Sequence, residues 1–265
     1  ESDQLQARTG ASVEARLARL ERRPDLLARR DDLCVGYAQL LVSAGRPHDA
    51  LTTLAGRHFQ PWEGGEGLVL RAWERTGLAL ADARLRAGDP SAALSCLESA
   101  LEPPEFLGEV RHPLASPAPV LLALGDAAAA CGDEDRAGAA WAAAAEANVD
   151  FTAMAPTDFS ENTYYSILAA RRLGDTRRAE ALIAGLSEHV RRLATTPARI
   201  DYFATSLPTL LLFHDDPQGY QDRTRRVIEA QLGLLDGRTA EARRMVDSVL
   251  AESPGFEPAI DLVRD

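Results

Sequence analysis

The chain contains no lysine; all 29 of its basic residues are arginine. We read this as a codon bias of a GC-rich genome and attach no function to it. Aromatic residues are also scarce, at 6%. Alanine and leucine take their place, which suits close helix–helix packing and disfavours a β-rich fold, since strands favour Val, Ile, Thr and aromatics. Cysteine is limited to Cys34, Cys96 and Cys131. An odd number without framework spacing predicts reduced, buried thiols and a cytoplasmic location. No apolar run is long enough to span a membrane, and the richest, from Val120 to Cys131, is broken by Asp126. No signal-peptide pattern is visible, and the first residue is Glu1 rather than Met, so the expectation is a piece of a longer protein.

Positive charge is in deficit. The net charge is -11, whereas a nucleic-acid partner calls for a basic face, so none is expected. Paired arginines recur, among them Arg171-Arg172, Arg177-Arg178, Arg225-Arg226 and Arg243-Arg244. They are interleaved with acids and read as solvated helix faces, with an anionic-ligand site as the alternative.

Signatures of catalysis are missing as well. The five histidines form no pair at helical spacing and none neighbours a cysteine, so no metal is expected. There is no nucleophile elbow and no Walker loop, and Gly64-Gly65-Glu66-Gly67 lacks the dinucleotide fingerprint. Asp133, Glu134 and Asp135 read as helix caps rather than a calcium loop. Glu63, Glu66 and Glu109 are the carboxyls to consider for acid–base work on a glycoside, but 40 acids make such a choice weak. No cofactor is implied.

What the chain does have is self-similarity. A glycine followed five residues later by alanine occurs at Gly45/Ala50, Gly88/Ala93, Gly132/Ala137, Gly174/Ala179 and Gly237/Ala242. A glycine supplies the left-handed residue that ends a first helix. The alanine sits early on a second helix, where the two approach too closely for a larger side chain. Four residues on come Leu54, Leu97, Trp141, Ile183 and Val246, on the same helical face. Seven residues before each glycine stand Ala38, Ala81, Gly125, Ile167 and Ala230, mostly small, at the crossing point. Asp89, Asp133 and Asp175 are placed as N-caps, and Pro47 and Pro90 fall in the first turn of second helices.

This pattern resembles the tetratricopeptide repeat (TPR) at the turn glycine, the alanine, the larger residue after it and, at Pro254, the closing proline. It lacks the tryptophan and Leu-Gly landmarks of the first TPR helix. The glycines are 43, 44, 42 and 63 residues apart, against about 34 in a standard repeat. Each hairpin therefore carries a long linker, and the widest gap has room for extra helices near 188–195 and 198–213. The fold class expected is all-α, an α-α superhelix: a TPR-like solenoid of helical hairpins with long inter-repeat linkers. It forms one domain over residues 1–265, with about five to six hairpins.

The linkers are where specificity is expected. The first runs from Arg57 through Phe59, Pro61, Trp62, Glu63, Gly64, Gly65, Glu66 and Gly67. One reading is a turn into the next helix, with Phe59 and Trp62 plugging the solenoid. The other is a binding site with Trp62 as platform and Glu63 and Glu66 as acceptors. The second linker, Pro103 to Val110, echoes it with Leu107-Gly108-Glu109. The third, Val149 to Ser160, is expected to end in a cap at Asp158 or Ser160 before Tyr164-Tyr165. A further segment reads Tyr202-Phe203-Ala204-Thr205-Ser206-Leu207-Pro208. Trp62, Glu63, Gly64, Gly65, Glu66, Glu109, Tyr165 and Tyr202 are the binding candidates.

The strings Pro61 to Gly67, Leu107 to Glu109 and Tyr202 to Pro208 look like the C-terminal helical-repeat region of large bacterial proteins of the DUF5107 family, over roughly residues 30 to 260. Val110 departs from the glycine expected after Leu-Gly-Glu. The resemblance implies a TPR-like tail behind a β-rich, carbohydrate-related domain, and it brings no catalytic residues. The function expected is a protein–protein or interdomain scaffold, binding a protein, a peptide or an upstream domain. The alternative is an accessory part of a carbohydrate-active enzyme, completing an upstream domain's cleft.

Overall fold

The computed structural model describes residues 2–62, 65–147, 149–152, 155–198 and 216–264. They form fourteen α-helices and one small hairpin of strands. The helices are α1 (Ser2–Arg8), α2 (Val13–Leu20), α3 (Pro24–Arg29), α4 (Asp31–Ser43), α5 (Pro47–Ala55), α6 (Leu68–Arg86) and α7 (Pro90–Leu101). Then come α8 (Ala118–Ala130), α9 (Glu134–Glu146), α10 (Thr163–Arg172), α11 (Thr176–Thr195), α12 (Pro217–Leu235), α13 (Thr239–Glu252) and α14 (Glu257–Arg264). The chain is all-α in class.

The five sequence pairs mark five hairpins: α4/α5, α6/α7, α8/α9, α10/α11 and α12/α13. Each turn glycine has φ between 72° and 79°. That left-handed conformation lets the following amide reach back to the preceding helix, as Asp89 N does to Arg84 O at 2.9 Å. Asp89, Asp133 and Asp175 then accept the amides of Ala92, Arg136 and Arg178, starting the second helices. Ala50, Ala93, Ala137, Ala179 and Ala242 are all buried, as are Leu54, Leu97 and Val246. Trp141 and Ile183 are only partly buried. Ala38, Ala81, Ile167 and Ala230 are buried too, and together these residues build four adjoining apolar clusters.

The first helices of the hairpins form an inner row, in which α4 packs on α6, α6 on α8, α8 on α10, and α10 on α12. The row then curls back on itself. Helix α14 packs on α12 and also on α4, and Ile260 of α14 joins the apolar cluster of the first hairpin. Six inner helices thus make a closed circuit, with α5, α7, α9, α11 and α13 outside it. Tight glycine turns follow the inner helices at one end. The longer linkers lead into the inner helices at the other end, which we call the linker rim.

Several local expectations differ from what is observed. Residues 188–195 are the last turns of α11, whose apolar stripe through Leu182, Leu186 and Val190 runs on without a break. The segment expected to be helical at 198–213 lies outside the described residues, apart from Ala198. Cys34 is buried, but Cys96 is half-buried and Cys131 exposed, because Cys131 caps the C-terminal end of α8. The third linker contains an antiparallel pair, β1 (Asp150–Thr152) and β2 (Ala155–Thr157). The N-cap of α10 is Asn162; Ser160 acts one step earlier, its hydroxyl accepting the Asn162 amide at 3.1 Å.

Candidate functional site

The binding candidates read from the sequence divide into several places. Trp62 is half-buried on the apolar cluster of the first hairpin and lies flat over Gly65. A Cβ at Gly65 would stand 2.0 Å from the indole, so only glycine allows that seat. Phe59 is buried beside it, and its amide donates to Phe106 O at 2.8 Å, tying the first linker to the second. Glu66 is exposed. Glu109 reaches from the second linker to the start of α6, accepting Gly67 N at 2.9 Å and Leu70 N at 2.6 Å. It is a helix cap supplied from a distance, and its charge suits the positive end of the helix. Tyr165 is half-buried on α10, edge-on to Tyr164. Glu63, Gly64 and Tyr202 lie outside the described residues.

Sequence reasoning missed a different group. Arg71 stands in the first turn of α6, Glu161 two residues before α10, Tyr220 in the first turn of α12 and Glu257 at the first residue of α14. All four come from starts of inner helices, and the closed circuit brings them within one another's fields. Arg71 and Tyr220 remain exposed by area, Tyr220 at 48%. Yet both are strongly desolvated by surrounding protein. These four helix starts lie at the linker rim, and their setting is here called the mouth of the circuit.

The electrostatics follow. Burial pushes the Glu161 carboxyl up, against the hydrogen bond from its own backbone amide and the pull of Arg71, with Asp150 adding to the rise. Burial likewise pushes Glu257 up against the pull of Arg75 and Arg71. Desolvation works against the charge on Arg71, but Tyr220, Glu257, Glu161 and Asp150 more than offset it. Deeper in, Glu74 is raised to about 7 by burial, although Arg111 sits 2.5 Å away and draws it down. Asp150 is fully engaged, accepting from Ser116 N, Phe151 N, Ser160 Oγ and Asn162 Nδ2. The floor is closed by Arg75, which binds Asp261, Gln39 and Ser43.

Arg71 and Glu257 have no side-chain hydrogen bond or ion pair among the described residues, and the Glu161 carboxyl is met by its own backbone amide. Nor do three metal-ligating side chains converge there to hold a metal ion. The charged groups at the mouth therefore form no chelating cluster among the described residues. Several of the paired arginines instead lie in exposed ion pairs, such as Arg172–Asp126, Arg191–Glu188 and Arg243–Asp247. Such pairs add little stability.

Around the mouth the surface turns apolar. Leu68, Val110, Leu114, Val149 and Tyr220 are exposed large hydrophobic residues, Val110 at 84%. Each lies in a linker or at the start of an inner helix. Only Leu5 and Leu173 share that exposure elsewhere among the described residues. No helix among the described residues is long and apolar enough to cross a membrane.

No protein-family model matches the chain, and no solved structure matches it. Fold and site together define an all-helical protein with a charged, apolar-rimmed mouth.

Proposed function

We propose that this chain is an interaction scaffold without catalysis of its own: a TPR-like superhelix of hairpins whose linker rim docks a protein, a peptide or a neighbouring domain of the same polypeptide. The reading keeps the chain as the tail of a longer bacterial protein of the DUF5107 type, working in the cytoplasm. One observation carries it, the concentration of exposed apolar side chains on the linker rim. Scattered exposed hydrophobics need no explanation, but a group at one end of a molecule marks a contact surface. Long linkers there have room to vary while the hairpins hold their frame.

A random-peptide display selection against the full chain tests this, with the variant V110D/L114D as counter-target. Both residues are exposed, so the variant is expected to fold normally. Peptides should be recovered that bind the wild type and lose about tenfold or more on the variant. If every recovered peptide ignores the rim substitutions, the linker rim is not the docking face.

A further inference from the structure

We propose that the linker rim docks a short polypeptide segment that is both apolar and basic, laid along the second and third linkers. This rests on the scaffold reading and names the chemistry of the partner. Short contacts join the linkers into one surface. Phe59 N donates to Phe106 O at 2.8 Å, tying the first linker to the second. The His112 ring stacks on Phe151 with centroids 3.9 Å apart, and Ser116 N donates to Asp150 Oδ1 at 3.0 Å, tying the second to the third. Val110 and Leu114 flank His112 in sequence, and Val149 stands two residues before Phe151. All three are exposed. The stacked rings therefore set the apolar residues of one linker beside that of the next, as a ridge.

Exposed charge on these linkers has one sign. Residues 56–67 hold two acids, residues 102–117 and 147–162 three each, and the three segments hold two arginines in all. Both arginines are engaged: Arg57 pairs with Asp31 and Arg111 with Glu74, and their side chains are only 18% and 17% exposed. Glu66, Glu102, Glu105 and Asp158, by contrast, are exposed. Arg71, the first cation after the first linker, already stands in the fields of Glu161 and Glu257. An apolar ridge edged by carboxylates selects among partners. A second copy of this chain would set acid against acid, with a net charge of -11 on each. Nucleic acid and anionic lipid carry the same sign and are disfavoured too. A segment with arginine or lysine among apolar residues meets both demands. Its apolar side chains cover the ridge, while its cations face the carboxylates, which steers encounter and rejects acidic competitors.

A random-peptide display selection on the full chain tests this with three variants. V110S/L114S defines dependence on the ridge; serine is used because added aspartates would themselves attract cations. E66Q/E105Q/D158N removes three exposed carboxylates of the linkers, and E14Q/E134Q/E180Q removes three exposed carboxylates of helices. All are surface changes, so the variants are expected to fold. Peptides that lose about tenfold or more on V110S/L114S should carry arginine and lysine in excess over aspartate and glutamate. They should bind E66Q/E105Q/D158N about tenfold more weakly, keep their affinity for E14Q/E134Q/E180Q, and weaken as salt rises. Ridge-dependent peptides of neutral or acidic composition, insensitivity to E66Q/E105Q/D158N, or equal loss on the two charge-removing variants would overturn the basic partner and leave the scaffold reading standing. Recovery of no ridge-dependent peptide would overturn both.

Discussion

Arg75 in the second turn of α6 and Asp261 near the C-terminal end of the chain meet at 2.7 Å, across 186 residues of sequence. The guanidinium side chain is 5% exposed and has further partners in Gln39 and Ser43 of α4. One arginine thus ties three inner helices together at the point where the circuit closes. Removing Asp261 would leave a buried cation short of its counter-charge. Asp261→Ala is expected to cost about 3 kcal/mol, and Arg75→Met less, since methionine leaves no stranded charge. Urea denaturation of both variants measures this. Small-angle scattering should also report a larger radius for Asp261→Ala, and an unchanged radius with unchanged stability would show that the pair does not hold the closure.

Glu109 is the cap of a helix that begins more than forty residues before it. Glu109→Ala leaves the Gly67 and Leu70 amides without their acceptors and should cost about 1–2 kcal/mol. Hydrogen exchange should quicken at those two amides first. Protection there identical to wild type would mean that the carboxylate is not their acceptor in solution.

Glu74 makes stability depend on pH. Its carboxyl ionises at about 7 in the folded protein, against an ordinary value of 4.5. The native state therefore holds an extra proton between those values. The stability this group contributes is complete below pH 4.5 and is lost as pH rises through 7. Glu74→Gln stays neutral throughout. Its advantage over wild type should be near zero at pH 4.5 and reach about 2 kcal/mol by pH 8, allowing for residual solvent contact and the weakened tie to Arg111. Melting curves at several pH values decide the matter; a difference that does not change with pH would place the Glu74 carboxyl in a well-solvated setting.

Ala93 marks how closely α6 and α7 approach. It is fully buried, and a Cβ placed on nearby Gly77 would lie 2.9 Å from the Ala100 methyl. Ala93→Leu should destabilise by about 1–3 kcal/mol through overpacking, while Ala93→Gly loses about 1 kcal/mol from helix propensity. Chemical denaturation separates the two. A leucine tolerated without loss would contradict the close approach.

The hairpins were legible in the sequence because their determinants are local. A left-handed glycine, an aspartate cap and an alanine five residues on act within one turn of the chain, so Gly88, Asp89 and Ala93 announce their roles without reference to anything distant. The extent of α11 differs from the expectation because part of the wide gap between glycines is filled by an unbroken apolar stripe that lengthens this helix rather than by a new one. Cys131 was misplaced because its position at a helix end, rather than its apolar neighbours, sets its exposure. Glu109 was picked out as a candidate, and the structure gives it a capping role. That role depends on a helix start 39 to 42 residues earlier, which no spacing rule marks.

The mouth was not legible at all. Arg71, Glu161, Tyr220 and Glu257 are unremarkable singly, and only a faint signal marked one of them: an arginine in the opening turn of a helix otherwise headed for the core. The sequence by itself determined that the chain is built from helical pairs, where each pair bends and which small residues let its members nest, since those are short-range steric and hydrogen-bonding demands. Only the tertiary structure decided that the row of pairs curls until α14 meets α4, setting the starts of distant inner helices at one end. Curvature is the sum of small rotations at every helix contact, and charges from distant helix starts act on one another only once that sum has brought those starts together.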